Sequence, residues 1–106
     1  IHPTRIEDIA VAHPAIAKAA AFPAPDERLG EKVCLAVILA EGAAAPSDSA
    51  ILQHLNDGGL SRYDMPEYFI VMEAFPLTAS GKILKRELAA DLIAGKFTPA
   101  PCRFAA

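Results

Sequence analysis

The sequence predicts an α+β fold, a small sandwich of about three strands with helices on both faces. Three observations carry that expectation. The run "VCLAVIL", Val33 to Leu39, is apolar on both sides of an extended chain and rich in branched residues, the pattern of a strand covered on both faces. Apolar residues at helical spacing recur elsewhere, bounded by capping or breaking residues. At 106 residues the chain suits one small domain, with a hydrophobic fraction of 53% that alanine inflates.

Taken in order, "PTRIEDIAVAHP" sets Thr4 three residues before Glu7, the capping-box arrangement in which each side chain satisfies a backbone N–H at a helix start. Ile6, Ile9 and Ala10 then share one helical face, and His13-Pro14 ends the helix. "IAKAAAF", Ile16 to Phe22, has alanine's helical propensity, but prolines at 14, 23 and 25 leave too little length, so a strand is expected. "PAPDERLGEK" reads as a loop, giving a hairpin with a long mobile connection to the central strand and a charged tip of Asp26, Glu27, Arg28 and Glu31.

After "EGAAAPSDS", Ser47 is a candidate N-cap for a helix that turns Ile51, Leu52 and Leu55 inward until Gly58-Gly59 stops it. "EYFIVM", Glu67 to Met72, is the third strand, entered through the extended Met65-Pro66 pair. A last helix is expected from near Ile83 to Gly95, burying Leu84, Leu88 and Leu92 at spacings of four. Residues 1–95 form the domain, and 96–106, "KFTPAPCRFAA", lack periodicity and read as a loose tail.

Bulk properties narrow the function. A net charge of -3 provides no basic field for a phosphate backbone, so nucleic acid is not expected as a partner. The longest apolar run, Val33 to Ala40, falls far short of the roughly 20 residues a membrane-spanning helix needs, and no signal-peptide pattern is visible. Cys34 and Cys102 lie too far apart for a disulfide framework or metal spacing, and a reducing cytoplasm is the expected setting. An opening at Ile1 instead of Met reads as a piece cut from a larger polypeptide.

Chemistry concentrates in "FPLTASGKILKREL", Phe75 to Leu88. Gly81-Lys82 before a helix raises the phosphate-binding pattern G-x-x-x-x-G-K-[ST], which fails because Pro76 holds the upstream glycine position and Ile83 the hydroxyl position. What remains is a lysine at the end of a tight turn. Pro76 fixes the entry, Thr78 and Ser80 bond locally to backbone, and Gly81 supplies a φ other residues resist. On spacing alone Lys82 reads as a solvated surface residue; held rigidly between a strand and a helix, it becomes a placed cation.

The motif "PLTASGKILKREL" resembles the C-terminal lysine motif of the acyl- and aryl-CoA synthetases, in the adenylate-forming superfamily with firefly luciferase and peptide-synthetase adenylation domains. Pro76, Thr78, Ser80, Gly81, Lys82, Ile83, Lys85, Arg86 and Leu88 all match its pattern. The stretch from Ile1 to Leu39, with its Gly30-Glu31 pair, is similar to the family segment that follows the hinge, and "LSRYDMPEYFIVMEAFP" resembles the run into the lysine loop. The resemblance implies a mobile C-terminal lid whose lysine, here Lys82, bridges carboxylate and ATP phosphate during adenylation and withdraws for the thioester step. It implies ATP, Mg2+ and coenzyme A as participants in the full enzyme, with none expected bound to this fragment. Its partners are then a large N-terminal domain and a small carboxylic acid, of fatty, alicyclic or aromatic flavour. The hinge and that domain are absent from this sequence, so the fragment alone is expected to be inactive.

Other residues read more plainly. His2 and His13 flank a helix, His54 is a helix-surface position, and Cys34 is a core thiol. Lys85 and Arg86 belong to a solvated face, pair with Glu87 or Asp91, or touch the large domain. Two alternatives stay open: a self-standing small α+β binding or interaction module, and the lid of an enzyme that loads a carrier protein instead of free coenzyme A.

Overall fold

The computed structural model describes residues 3–26 and 30–102, with backbone alone at 25, 26, 30 and 31. Helix α1 (Pro3–Val11) leads into strands β1 (Ile16–Asp26) and β2 (Gly30–Leu39). Helix α2 (Asp48–Asp57) and a single 3-10 turn (Arg62–Asp64) precede β3 (Tyr68–Val71), helix α3 (Lys85–Ile93) and the short β4 (Ala100–Pro101). The described strands form one sheet in the order β1-β2-β3-β4. β1 and β2 pair antiparallel, β2 and β3 parallel, β3 and β4 antiparallel.

Strand alternation builds two cores. Val33, Leu35 and Val37 of β2 join Ala19 and Ala21 of β1 under Ile6 and Ala10 of α1 and Ile51, Leu52 and Leu55 of α2. Cys34 and Ala36 point the other way, to meet Phe22, Phe75 and Leu88 of α3. β2 is therefore the central, doubly covered strand that its two-sided apolar sequence predicts. Both α1 and α2 are too short to persist alone in water, so packing holds them. Each fully buried Ile or Leu contributes about 1.5–3 kcal/mol toward that.

The α2 boundaries are as expected: the Ser47 side chain accepts from Ala50 N–H at 3.1 Å, and Gly58 and Gly59 close the helix. Their neighbourhood is tight. The Cα hydrogens of Gly58 face Ile9 of α1, where a Cβ would lie 2.4 Å from Ile9 Cγ2.

Several expectations need correction. Thr4 lies inside α1 and the Glu7 carboxylate turns away to accept from Ala21 N–H, so the two form no capping box. Prolines 23 and 25 do not stop β1, because β1 is an edge strand of the described sheet, where a missing donor breaks no central ladder. Pairing runs on to Asp26↔Gly30, so most of the stretch expected as a long connection is strand, and residues 27–29 lie outside the described residues. Of the charged tip, Glu27 and Arg28 lie outside the described residues, as do the side chains of Asp26 and Glu31.

The described part of the expected loose tail is docked. Phe97 stands edge-on to Phe22 with centroids 6.3 Å apart, Pro99 is buried, and β4 pairs with Tyr68 and Phe69. One aromatic contact and the free edge of β3 supply what periodicity could not announce; residues 103–106 lie outside the description. α3 starts at Lys85, not near Ile83, and of its three leucine positions Leu88 alone is fully buried. Leu84 is spent on the preceding loop, where its N–H donates to Pro76 O.

Candidate functional site

The lysine loop is a tight hairpin standing on the α3 face of the sheet. Phe75 enters it from the core and Ile83 packs back against that core on leaving. Between them Leu77 and Ile83 form an antiparallel bridge, and Leu84 N–H reaches Pro76 O at 2.8 Å. At the tip, Thr78 N–H donates to Lys82 O at 2.8 Å and Gly81 N–H to Thr78 O at 2.9 Å. Ala79 and Ser80 keep negative φ while Gly81 sits at 87°, the geometry of a type I turn followed by a G1 bulge. That φ is why glycine stands there, since open space surrounds the position.

Thr78 does double duty. Its Oγ1 lies 2.9 Å from Ser80 Oγ and accepts from Lys82 N–H at 3.0 Å. Lys82 is thus held at its N–H by the Thr78 hydroxyl and at its C=O by the Thr78 N–H. Its side chain is exposed, and among the described residues no acidic group pairs with it. Pro76, Thr78, Ser80, Gly81 and Lys82, singled out from sequence, converge in this one hairpin. The arrangement presents an ammonium outward on a backbone with little freedom, suited to meeting an anion on another surface.

Sequence reasoning missed Glu7. Its Oε2 accepts from Ala21 N–H at 2.8 Å and also pairs with the Lys85 ammonium. Lys85 therefore reaches α1, not Glu87 or Asp91; Asp91 pairs instead with Lys96 at 3.4 Å. Arg86 stays exposed. His2 lies outside the described residues. His13 accepts from Ala15 N–H through Nδ1, a helix-end role. His54 is half-buried instead of on the surface: its Nε2 donates to Ile9 O at 2.7 Å and its ring lies edge-on to His13. The described residues contain no cluster of three or more His, Cys, Asp or Glu able to hold a metal, and no helix long and apolar enough to cross a membrane.

The cysteines offer no nucleophile. Burial, with a smaller contribution from Cys102, pushes the Cys34 thiol from 9.0 up to about 12. Burial and then the Asp48 and Glu67 carboxylates push Cys102 up to about 11. For Cys102 such a rise removes about a hundredfold of thiolate and returns about tenfold through the greater nucleophilicity of a more basic sulfur. Alkylation at pH 8, followed residue by residue by mass spectrometry, should therefore run about tenfold slower at Cys102 in the folded than in the unfolded chain. Cys34 should react only on unfolding; rapid labelling of Cys34 in the native protein would contradict this account.

Residues 5–82 match the family model of the AMP-binding enzyme C-terminal domain. Over 88 residues the chain is 38% identical to the 3-methylmercaptopropionyl-CoA ligase of Ruegeria lacuscaerulensis, covering 83% of this chain and 16% of that protein. It is 40% identical over 88 residues to the salicyl-AMP ligase / salicyl-S-ArCP synthetase of Mycobacterium tuberculosis, covering 82% of this chain and 15% of the relative. The crystal structure of Brucella canis acyl-CoA synthetase superposes with a TM-score of 0.82 at 28% identity, over 92% of this chain and 18% of that one. The chain spans about a sixth of the length of the curated relatives it matches.

Proposed function

The chain belongs to the AMP-binding enzyme C-terminal domain family, and from that premise we propose that it is the mobile lid of an ATP-dependent acyl-CoA synthetase, with Lys82 as the adenylation lysine. The complete enzyme joins a carboxylic acid to ATP with release of pyrophosphate. It then transfers the acyl group from the adenylate to the coenzyme A thiol, releasing AMP. The observation that carries the reading is the exposed Lys82, without an acidic partner among the described residues, on a hairpin whose backbone is bonded on both sides of it.

The electrostatics favour that role. Two unit anions 4 Å apart repel by about 4 kcal/mol at an effective dielectric of about 20, and an ammonium between a carboxylate and a phosphate offsets that cost. Lys82 orients and neutralises; it takes no proton from the acid. Thr78 holds its backbone directly, Ser80 meets the Thr78 hydroxyl instead of backbone, Gly81 shapes the turn and Pro76 ties the exit through Leu84 N–H, so little reorganisation is needed when charge moves. Magnesium, where it accompanies ATP, would neutralise phosphate charge; the described residues of this chain offer no group of three or more His, Cys, Asp or Glu to hold it. The large N-terminal domain supplies the acid pocket and nucleotide loop, which makes this chain inactive by itself, and a cytoplasmic setting suits the substrates.

A carrier-protein thiol is the second candidate acceptor, because similarity to the salicyl-AMP ligase is as high as to the acyl-CoA ligase. Pyrophosphate exchange by the complete polypeptide across a panel of carboxylic acids tests the reading. Exchange dependent on one acid class, followed by thioester formation with free coenzyme A, is expected. Thioester formation with a carrier protein alone selects the second acceptor, and absence of acid-dependent exchange rejects adenylation altogether.

A further inference from the structure

We infer that Glu7 and Lys85 form a positioning pair that sets the direction in which Lys82 projects, an inference that rests on the role proposed above for Lys82. Lys85 occupies the first turn of α3, where the helix dipole disfavours a cation, and Leu84 before it makes no side-chain cap bond. Helix stability therefore does not account for Lys85. Its contact does: a single Glu7 oxygen receives both the Lys85 ammonium and the Ala21 N–H. Side chains 37% and 17% exposed place the pair at the margin of the core, screened less than a surface ion pair.

The pair joins what the rest of the fold keeps apart. Glu7 belongs to α1, which covers one face of the sheet, whereas Lys85 belongs to α3 on the other. The bridge passes around the edge at β1 and grips the chain three residues beyond Lys82. Between the two lysines the backbone is already tied, with Lys82 O held by Thr78 N–H and Leu84 N–H by Pro76 O. The tip inherits its orientation from the α3-side core, through Phe75, Ile83 and the fully buried Leu88, and from Lys85 on Glu7. Removal of the ion pair leaves the core contacts alone to set that direction and lets the tip shift, and displacement of a reacting group by about 1 Å costs on the order of a hundredfold in rate.

The test uses the complete enzyme and four variants. Glu7→Gln keeps an oxygen for Ala21 N–H but deletes the charge, and Lys85→Met keeps the apolar stem. Each should lower kcat for adenylation by about ten- to a hundredfold, with KM for ATP and the thermal midpoint little changed. Thioester formation from preformed adenylate should be spared, the double variant should be no slower than either single one, and Lys85→Arg should recover most of the rate lost in Lys85→Met. Equal losses in both half-reactions with a lowered midpoint, additive losses in the double variant, or full adenylation rates in both single variants would overturn the pair's role. Lys82→Ala, assayed alongside, separates the two levels. If it alone slows adenylation, the positioning pair fails while the lysine's role stands; if it changes nothing, the lysine's role fails and takes the pair with it.

Discussion

On the role proposed for Lys82, Lys82→Ala in the complete enzyme should slow adenylate formation by about 10²- to 10³-fold, the loss that follows removal of one preorganised group facing developing charge. The side chain is exposed and unpaired among the described residues, so its truncation disturbs no internal contact and leaves the thermal midpoint unchanged. If the domain acts as the proposed lid and withdraws the lysine before the second step, the effect should be selective. Thioester formation from preformed adenylate, measured in a single turnover with coenzyme A, should keep its rate. Equal losses in pyrophosphate exchange and in thioester formation would refute the assigned role, because a group acting in one pose cannot slow both.

Gly58→Ala should lower stability for a reason unrelated to backbone freedom. At φ -78 and ψ 0 the position accepts any residue. The added methyl, however, would sit 2.4 Å from Ile9 Cγ2 and 3.5 Å from His54 O. Ile9 cannot swing aside cheaply, since a β-branched residue in a helix has one strongly preferred rotamer and its other atoms pack on the core shared by α1 and α2. Overpacking of this kind costs about 1–3 kcal/mol. Urea unfolding of the 106-residue chain should show a lower midpoint with an unchanged slope. Ile9→Ala in the same chain should remove much of the additional penalty, because residues in contact couple non-additively. Simple additivity would show that the clash relaxes by some other route.

Much of the fold was legible because local pattern and tertiary environment agree. β2 alternates between two apolar cores and so reads as apolar throughout. α2 carries its cap at Ser47, its inward residues and its glycine stop within a dozen positions. The lysine hairpin was legible for the same reason: every hydrogen bond that shapes its tip joins residues between Thr78 and Lys82. Illegible features were those set by distant partners. Glu7 meets the local rule for a capping box, yet Ala21 and Lys85, far along the chain, outcompete the helix end for it. Prolines 23 and 25, read as loop on composition, are tolerated within β1 once topology makes it an edge. Phe97 and β4 carry no periodicity, so their docking follows only from the surface that the rest of the chain exposes to them.

The carboxylate that meets Ala21 also changes how this molecule behaves in a crowd. An outermost strand ordinarily displays a row of unspent donors and acceptors, a template on which a neighbouring chain can lay down a strand of its own. Here one donor of that row is already occupied by Glu7, and two prolines further along it have none to offer. The same contact that ties α1 to α3 thus works as a guard against intermolecular sheet growth, and loss of the Glu7 side chain would leave this flank open to self-association.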